Sequence, residues 1–251
     1  MGKQHQRWAT IIDLCQSNKK VSVEQLVNIL NVSEATIRRD LTQMEDLHII
    51  RRYHGGVMMD DEQSNEPNIQ IKNIVNDSAK DKVARLATQF IKDNQMVFID
   101  AGSSTLKMID YITAKNITVV TTGIQQIDKL ISKNIPTIVL GGAIRPRTCT
   151  ISGIQTLKQL DDFYFDVAFI GVNAIHERMG FTTTNEQEAE VKKKVITHST
   201  NSYLLADSTK FNKLCPVKYA DLNQAIVLSD EIYDFNRNLI QYLLINEETN
   251  I

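Results

Sequence analysis

Apolar residues recur at helical spacing three times near the start of the chain. The stripes comprise Trp8, Ile11, Ile12 and Cys15, then Val23, Leu26, Val27 and Leu30, and then Ile37, Leu41 and Met44. Recurrence at three- and four-residue intervals predicts an amphipathic helix for each stripe. Ser22, with Gln25 three residues on, has the form of a capping box, and Ser33 is suited to cap the third helix. Because only Asn31-Val32 separates the last two helices, the pattern predicts a helix-turn-helix.

The third helix has a polar face opposite its apolar stripe. At 100° per residue, that face carries Ala35, Arg39 and Thr42, with Arg38 on its flank. A methyl group, two guanidiniums and a hydroxyl suit contacts with thymine methyls, phosphates and guanine edges in a DNA groove. The face therefore favours a DNA-reading helix, although a helical subdomain with solvated arginines has the same pattern.

Residues 49–57 follow this helix with β-branched side chains, Arg51-Arg52, His54 and a Gly-Gly break, which predict a small β wing. The next stretch is rich in acids, Asn and Pro, as in a linker. We therefore expect a winged helix-turn-helix DNA-binding domain over 1–57, a linker over 58–78 and a larger domain over 79–251.

Beyond the linker, short apolar runs alternate with amphipathic stretches. The runs are Met96–Ile99, Ile117–Thr121, Thr137–Leu140, Val167–Ile170, Tyr203–Leu205 and Ala225–Leu228. Helical spacing lies between several of them, notably over 83–91, 124–133 and 186–200. Strands that alternate with helices predict an α/β domain with a mostly parallel sheet, and such sheets bind ligands at the carboxyl ends of their strands.

Three loops at predicted strand ends carry groups that suit an anion. They are Asp100–Thr105, Gly141-Gly142 with Arg145 and Arg147 close behind, and Ala206–Phe211. Glycine allows the backbone to approach a ligand, and free N–H groups with hydroxyls at a helix start suit a phosphate. Each loop alone is also explained as a helix cap or turn with solvated charges. Their recurrence at three strand ends favours an anion-binding site.

Composition and charge narrow the class of protein. The chain has 251 residues, 42% hydrophobic and 23% charged, and no apolar run approaches the ~18 residues of a membrane span. Its three cysteines lack Cys-x-x-Cys spacing, so we expect a cytoplasmic protein without disulfides, metal or cofactor. The formal charge is +2 over residues 1–57 and −4 over the rest. Because that head is only weakly basic, tight DNA binding is expected to need two heads, in a homodimer or homotetramer.

Two sets of motifs resemble the DeoR-type transcriptional repressors. Residues 32–41, Glu45 and residues 52–56 resemble the N-terminal signature of that family. Six further segments resemble the sensor domain of the same family: Asp100–Thr105, Gly141-Gly142, Asp166–Gly171, Gly180–Thr183, Glu188–Lys192 and Asp207–Phe211. The resemblance covers nearly the whole chain. It implies a regulator that binds a double-stranded DNA operator under the control of a phosphorylated sugar, with a sensor domain similar in fold to ribose-5-phosphate isomerases.

The resemblance also implies roles for single residues. We expect phosphate or sugar-hydroxyl contacts from Gly102, Ser103, Ser104 and Thr105. Lys210 is expected to supply a positive charge for the phosphate, and Asp100 to orient the sugar hydroxyls. Weaker effector candidates are Gly141, Arg145 and Glu188, of which Glu188 is equally explained as an exposed helix residue. DNA contacts are expected from Ser33, Ala35, Thr36, Arg38, Arg39, Thr42, Arg51, Arg52 and His54.

The chain departs from the family pattern at four places. His48 stands where glycine usually ends the recognition helix, and Ser103-Ser104 stand where the family usually has Thr-Thr. Thr122-Gly123 stand where an Asn is common after the second strand of the sensor domain, and Asn212 follows Phe211 where glycine is usual. The identity of the sugar is therefore not carried over. An isomerase-like fold also allows a sugar-phosphate isomerase with an accessory DNA-binding head. Fold alone does not transfer function, and such a head has no use on an enzyme, so we expect a regulator without catalytic activity.

Overall fold

The computed structural model describes residues 3–60, residues 68–231 and the backbone of 241–244. The chain divides into two compact units, Met1–Val75 and Asn76–Ile251. None of the described helices is both long enough and apolar enough to cross a membrane.

The first unit combines helices with a small sheet. Its elements are α1 (Lys3–Asn18), β1 (Val21–Ser22), α2 (Val23–Leu30), α3 (Glu34–Asp46), β2 (Ile50–Tyr53), β3 (Gly56–Met59) and α4 (Ile69–Ile74). The sheet is antiparallel in the order β1-β3-β2, so the wing hairpin β2–β3 also pairs with the strand before α2. Residues of all three predicted stripes, among them Ile11, Leu26 and Ile37, form one fully buried core. The predicted winged helix-turn-helix is confirmed.

Local sequence signals begin and end the helices of the DNA-binding motif. The Ser22 hydroxyl accepts the Gln25 N–H at 3.1 Å, and the Gln25 side chain accepts the Ser22 N–H at 2.8 Å, which completes the predicted capping box. Asn31 ends α2 with a left-handed backbone at φ 50°. The Ser33 hydroxyl accepts the Thr36 N–H at 3.3 Å at the start of α3. The turn between the two helices is therefore bounded by side chains that suit each helix end.

His48 ends the recognition helix in the conformation that glycine usually supplies. Its backbone is left-handed at φ 53°. The His48 N–H donates to the Glu45 carbonyl and the Ile49 N–H donates to the Met44 carbonyl, each at 2.9 Å. These two bonds form a Schellman ending, and both Ile49 and Met44 are buried beneath it. The departure from glycine thus leaves the local geometry intact.

The stretch 58–78, predicted as a linker, contains regular structure among its described residues. β3 continues to Met59, and α4 places Ile71 and Ile74 in the core of the first unit. The boundary between the two units falls after Val75, so the DNA-binding unit extends past residue 57. Polar composition concealed α4 because its isoleucines are spread through a short polar stretch. Residues 61–67 lie outside the described part of the chain.

The second unit alternates strands and helices. Its elements are α5 (Asp77–Thr88), β4 (Met96–Ile99), α6 (Ser103–Met108), β5 (Thr118–Thr121), α7 (Ile124–Ser132), β6 (Thr137–Val139), β7 (Ala143–Arg145), β8 (Thr150–Ser152), α8 (Ile154–Leu160), β9 (Phe165–Gly171), β10 (Ala174–His176), β11 (Gly180–Thr183), α9 (Glu186–Thr197), β12 (Ser199–Ala206), β13 (Val217–Ala220), β14 (Ile226–Ser229) and β15 (Gln241–Leu244). Single turns of 3-10 helix cover Ile109–Tyr111 and Ser208–Lys210.

Parallel strands form the central sheet in the order β15-β14-β12-β9-β4-β5-β6. The chain runs outward from β4 through β5 to β6, then crosses to β9 on the other side of β4. This reversal is a topological switch point, where open α/β sheets bind ligands beyond the carboxyl ends of their strands. Val97 and Ile99 pack into one core and Phe98 into the other, so both faces of β4 are covered. The predicted α/β class with a mostly parallel sheet is confirmed.

Two antiparallel elements escaped prediction from the apolar pattern. β7 and β8 form a hairpin, and β10, β11 and β13 form a three-stranded sheet. Several of these strands have only three residues, which is too short for period-two alternation to be distinguished from a loop. Phe181 and Tyr219 from the antiparallel sheet join the same core as Phe98. The small sheet thus covers part of one face of the central sheet.

Candidate DNA-binding surface and effector site

The recognition helix α3 presents the predicted polar face to solvent. Ala35, Arg38, Arg39 and Thr42 are all exposed, while the apolar stripe on the other side of the helix is buried. Thr36 is half-buried and shares a hydrogen bond of 2.9 Å with the Ser33 hydroxyl. Ser33 and Thr36 therefore stabilise the helix start, and the exposed face beyond them is available to a DNA groove.

Acidic side chains hold three of the four predicted DNA-contacting arginines. Arg38 Nη2 lies 2.6 Å from Glu34 Oε1, and Arg51 Nε lies 3.2 Å from Asp60 Oδ1. In the wing, Arg52 Nη1 lies 3.2 Å from Thr42 Oγ1 and 3.9 Å from Glu45 Oε2. Within the described residues, Arg39 has neither an ion pair nor a hydrogen bond. His54 is exposed at the turn of the wing hairpin.

An ion pair between α1 and α3 was not predicted from the sequence. Arg7 Nε lies 2.7 Å from Asp40 Oδ2, and Arg7 Nη2 lies 3.1 Å from Asp40 Oδ1. Gln4 donates a further hydrogen bond of 3.1 Å to the same carboxylate. Asp40 is only 1% exposed. A signal existed, because Asp40 follows Ile37 by three residues and precedes Met44 by four, so it lies on the buried side of the helix.

In the second unit, Asp100 is the centre of a buried polar cluster at the switch point. Its Oδ2 accepts the Gly171 N–H at 3.0 Å and forms an ion pair with Lys192. Lys192 Nζ also donates to the Gly171 carbonyl at 2.7 Å. Both charged side chains are almost fully buried. The cluster therefore ties the ends of β4 and β9 to helix α9. Lys192 belongs to the motif Glu188–Lys192, but no role was predicted for it from the sequence.

Tyr219 closes one side of this cluster. Lys192 Nζ lies 5.9 Å from the centre of the Tyr219 ring. Burial, with a further contribution from the charge of Asp100, raises the pKa of Tyr219 well above its usual value, so the phenol remains neutral. The neutral ring leaves the Asp100–Lys192 pair as the only opposite-charge contact at this position among the described residues.

Thr105 shapes the Asp100–Thr105 loop from within. Its hydroxyl lies 2.6 Å from the Asp100 carbonyl and 2.9 Å from the Gly102 carbonyl, and its side chain is fully buried. Gln126 from α7 donates to the same two carbonyls at 3.1 and 3.3 Å. The expectation that Thr105 contacts the effector directly is not supported by this geometry, because its hydroxyl is already engaged with the backbone.

Gly102, Ser103 and Ser104 form the part of this loop that opens α6. A side chain at Gly102 would come within 3.2 Å of Thr105 Oγ1, and Gly171 Cα lies 3.7 Å from the same point. The two glycines therefore allow the β4 and β9 loops to approach each other closely. Ser103 is half-buried and Ser104 is buried at the helix start, where the first backbone N–H groups lack partners within the helix.

Arg145 and Glu188, both predicted as effector contacts, are joined to each other. Arg145 Nη1 lies 3.0 Å from Glu188 Oε1, which also accepts the Thr148 hydroxyl at 2.9 Å. Glu188 is 6% exposed, so its alternative explanation as an exposed helix residue is wrong. The pair connects the β7–β8 hairpin with the first turn of α9. Gly141, which precedes β7, is exposed, and its N–H donates to the Gln159 side chain at 3.0 Å.

The loop after β12 carries the predicted lysine together with a second buried acid. Lys210 is half-buried at the end of the 3-10 turn. Asp207 is 1% exposed, and its Oδ1 accepts the Thr209 N–H at 3.1 Å. Its Oδ2 is buried and has no hydrogen-bond partner in the described part of the chain. Buried polar atoms are normally satisfied, so this oxygen can accept a further hydrogen bond.

Asp230 lies beside this loop at the end of β14. Its Oδ1 accepts the Ser208 N–H at 2.8 Å. Burial raises the pKa of Asp230, and the negative charge of Asp207 adds to that rise, while the Ser208 hydrogen bond opposes it. Two acids, Asp207 and Asp230, therefore lie close together at the carboxyl ends of β12 and β14. The described residues contain no group of three or more His, Cys, Asp or Glu side chains arranged to hold a metal ion.

Two domain families match the chain. The DeoR-like helix-turn-helix domain matches residues 7–63, and the DeoR C terminal sensor domain matches residues 75–231. The chain belongs to the DeoR family. The resemblance inferred from the motifs is confirmed, and as a DeoR-family member the chain is a DNA-binding transcriptional regulator rather than an enzyme.

Individual relatives of this DeoR-family regulator agree with that class. It is 36% identical to the uncharacterized HTH-type transcriptional regulator FruR of Bacillus subtilis over 227 residues, which cover 90% of each chain. It is 29% identical to the HTH-type transcriptional repressor GlcR of the same organism, over 90% of this chain and 87% of that protein. Ribose 5-phosphate isomerase from Plasmodium falciparum aligns over 54% of this chain and 53% of its own, with 17% identity and a TM-score of 0.40.

Proposed function

We propose that this regulator represses a carbohydrate-metabolism operon and that a phosphorylated sugar controls its binding to the operator. The observation that carries the proposal is the buried, unpartnered Oδ2 of Asp207, in the loop that also carries Lys210 at the carboxyl edge of a parallel sheet. A sugar phosphate has hydroxyl groups that can donate to such a carboxylate oxygen and a phosphate that a lysine can bind. The repressor sense has support from the relative named as a repressor.

The DNA contacts are assigned to the exposed face of α3 and to the wing. Arg38, Arg39 and Thr42 supply groups for base edges and phosphates, with Ala35 offering a methyl contact. Arg51, Arg52 and His54 lie on the wing, where the DNA backbone is the expected partner. Phosphates compete for the arginines with the carboxylates that hold them in the free protein. Ser33 and Thr36 contribute by fixing the start of the helix.

The effector contacts are assigned to the loops at the carboxyl ends of β4 and β12. We assign the phosphate to the backbone at Gly102–Ser104 and the side chain of Lys210, and a sugar hydroxyl to Asp207. Asp100 acts through Lys192 by holding the β4 and β9 ends together, and the Arg145–Glu188 pair holds the hairpin near them. We assign these two pairs to the walls of the site rather than to direct contact.

The protein is further proposed to act as a homodimer or homotetramer that brings two DNA-binding heads to the operator. It does so in the cytoplasm, where the operator is accessible. A head with a formal charge of +2, most of whose arginines are paired with acids, gains affinity when two copies bind two half-sites together. The effector then favours one arrangement of the heads over another, with a coupling of about 1–3 kcal/mol.

The test is operator binding at fixed salt, with DNA from upstream of the protein's own gene and a panel of sugar phosphates and matched free sugars. Salt is held constant because phosphate contacts make DNA affinity fall steeply with ionic strength. One phosphorylated sugar should change the affinity while its free sugar does not. Lys210→Ala should lose that response and retain DNA binding, whereas Lys213→Ala, which removes an exposed lysine from the same loop, should behave as the wild type. Retention of the full response by Lys210→Ala would remove that lysine from the site.

A further inference from the structure

Asn76 has an unusual conformation for the first residue of a helix. Asparagine at this position ordinarily has an extended backbone, and its side chain accepts an N–H from the first turn. Asn76 instead is left-handed, with φ 56° and ψ 34°, and its side chain makes no cap hydrogen bond. Its carbonyl accepts the Lys80 N–H at 3.0 Å, so α5 still begins here. The amide of Asn76 is thereby released from capping.

The amide holds the loop that follows β12. Asn76 Nδ2 donates to Asp207 Oδ1 and to Thr209 Oγ1, each at 3.2 Å. The Thr209 hydroxyl also bonds Asp207 Oδ1, so the three side chains form a closed triangle. Thr209, one corner of this triangle, directly precedes Lys210 along the chain. The triangle also includes the carboxylate whose other oxygen is buried without a partner.

The position of Asn76 in the sequence gives this triangle a second consequence. α4 ends at Ile74, which is buried in the core of the first unit, and α5 begins at Asp77. Val75 and Asn76 are therefore the entire connection between a helix of the DNA-binding unit and a helix of the sensor unit. The backbone torsions of these two residues therefore belong to the covalent link between the two units.

We propose that Asn76 is the positioning residue that transmits effector binding at the Asp207–Lys210 loop to the DNA-binding unit. The proposal rests on the proposed function, because it assigns a regulatory role to the same effector loop. A left-handed backbone costs asparagine less than most other residues with a side chain, so the two hydrogen bonds to the loop are enough to hold Asn76 in it. A ligand that donates to Asp207 Oδ2 reorients the carboxylate whose Oδ1 accepts from Asn76, and so shifts the balance between two backbone conformations.

The decisive variant is Asn76→Gly in the full chain. Glycine adopts the left-handed conformation freely, so the substitution removes the amide without adding strain. The matched control is Asn134→Gly, because Asn134 also has a left-handed backbone, at φ 54°, and is exposed at the end of α7. Operator affinity is measured with and without the sugar phosphate that acts on the wild type. Effector affinity for the DNA-free protein is measured by calorimetry.

The expected result is a selective loss of coupling. Allosteric ratios are typically about 5–150-fold, and the ratio in Asn76→Gly should fall by about tenfold or to one. Operator affinity without effector should stay at the wild-type value, and effector affinity without DNA should change by no more than the factor lost from the ratio. Asn134→Gly should keep the wild-type ratio. A wild-type ratio in Asn76→Gly overturns the proposal. So does a loss of effector affinity larger than the factor lost from the ratio, since Asn76 would then act as a ligand contact and not as a link between the units.

A second measurement separates this proposal from the proposed function. Thr209→Val removes one corner of the triangle while keeping the side-chain shape, and amide hydrogen exchange is followed in ligand-free protein over the first turns of α5. Exchange there should be roughly fivefold faster, as expected for one lost hydrogen bond, and unchanged in Asn134→Gly. Unchanged exchange in Thr209→Val refutes the link between loop and junction. If no sugar phosphate acts on the wild type, the proposed function fails and this measurement still decides whether the link exists.

Discussion

Arg7 and Asp40 join the first helix to the recognition helix through two parallel contacts, Nε to Oδ2 at 2.7 Å and Nη2 to Oδ1 at 3.1 Å. The hydrogen bond and charge of Asp40 raise the pKa of the Arg7 guanidinium. A two-pronged contact fixes the relative orientation of its partners more strictly than a single charge pair does. The angle at which α3 is presented thus depends on a residue of α1 as well as on the apolar core.

Removal of either member of this pair should destabilise the first unit unequally. Arg7→Met leaves the Asp40 carboxylate, whose side chain is 2% exposed, without its cation and should cost about 3–5 kcal/mol. Asp40→Ala leaves Arg7, which at 19% exposure regains part of its hydration, and should cost less. Trp8 is the single tryptophan of the chain and is buried in this unit, so urea unfolding followed by tryptophan fluorescence reports on it directly. Equal losses in the two variants would contradict the role of burial.

Arg39 should contribute more to DNA binding than its neighbour Arg38. Arg39 lacks a partner among the described residues, whereas Arg38 must leave Glu34 before it can bind a phosphate. Arg39→Ala should weaken operator binding by about 1–3 kcal/mol if it contacts a base, or reduce the salt slope by about one if it contacts a phosphate. Titrations at several salt concentrations distinguish these cases.

Glu34→Gln provides the complementary variant. It frees Arg38 and should strengthen binding to non-specific DNA by up to about 1 kcal/mol, because exposed pairs of this kind are weak. Weaker non-specific binding in Glu34→Gln would show that Glu34 contributes to DNA contact in another way.

The Asp100–Lys192 pair should be essential to the stability of the sensor unit. Lys192→Met leaves a buried carboxylate unpaired and should lower the free energy of unfolding by about 3–5 kcal/mol. Lys193→Met removes an exposed lysine from the same helix and should have almost no effect. Circular dichroism during urea unfolding measures both. Adding Asp100→Asn to Lys192→Met should recover part of the loss, since it removes the stranded charge.

Cys15 should be the least reactive thiol of the chain. Burial raises its pKa to about 11, so almost none of it is thiolate at neutral pH, and its side chain is 2% exposed. Cys149 and Cys215 are half-buried. Alkylation of the native protein at pH 7.5, followed by peptide mapping, should modify these two and spare Cys15 until urea is added. Early modification of Cys15 would mean that the first unit opens readily.

The sequence predicted those parts of the fold that depend on periodicity and local capping. Ile37, Leu41 and Met44 placed α3 correctly, and the β4 bounds Met96–Ile99 were predicted to the residue because both faces of that strand are buried. Short segments were missed where burial comes from distant partners. Helix α4 is one example, since its isoleucines are buried only by packing against distant residues in the core of the first unit.

Prediction of the sites was limited for a related reason. Sequence motifs identified which loops gather at the switch point, but not which side chains pair within them. The contact between Lys192 and Asp100 spans 92 positions, and that between Arg145 and Glu188 spans 43. Pairs of such separation have no local signature, so residues expected to face a ligand were found facing each other. Asn76 shows the same effect, because its partner Asp207 lies 131 positions away.

The large separation between Asp100 and Lys192 also sets an order of events during synthesis. The helix-turn-helix unit is complete once residue 75 has left the ribosome, whereas the central sheet cannot close before α9 and β12 have emerged. That delay spans about 130 residues, or on the order of ten seconds of translation. During that interval, each newly made chain carries a finished DNA-reading helix without the unit that regulates it.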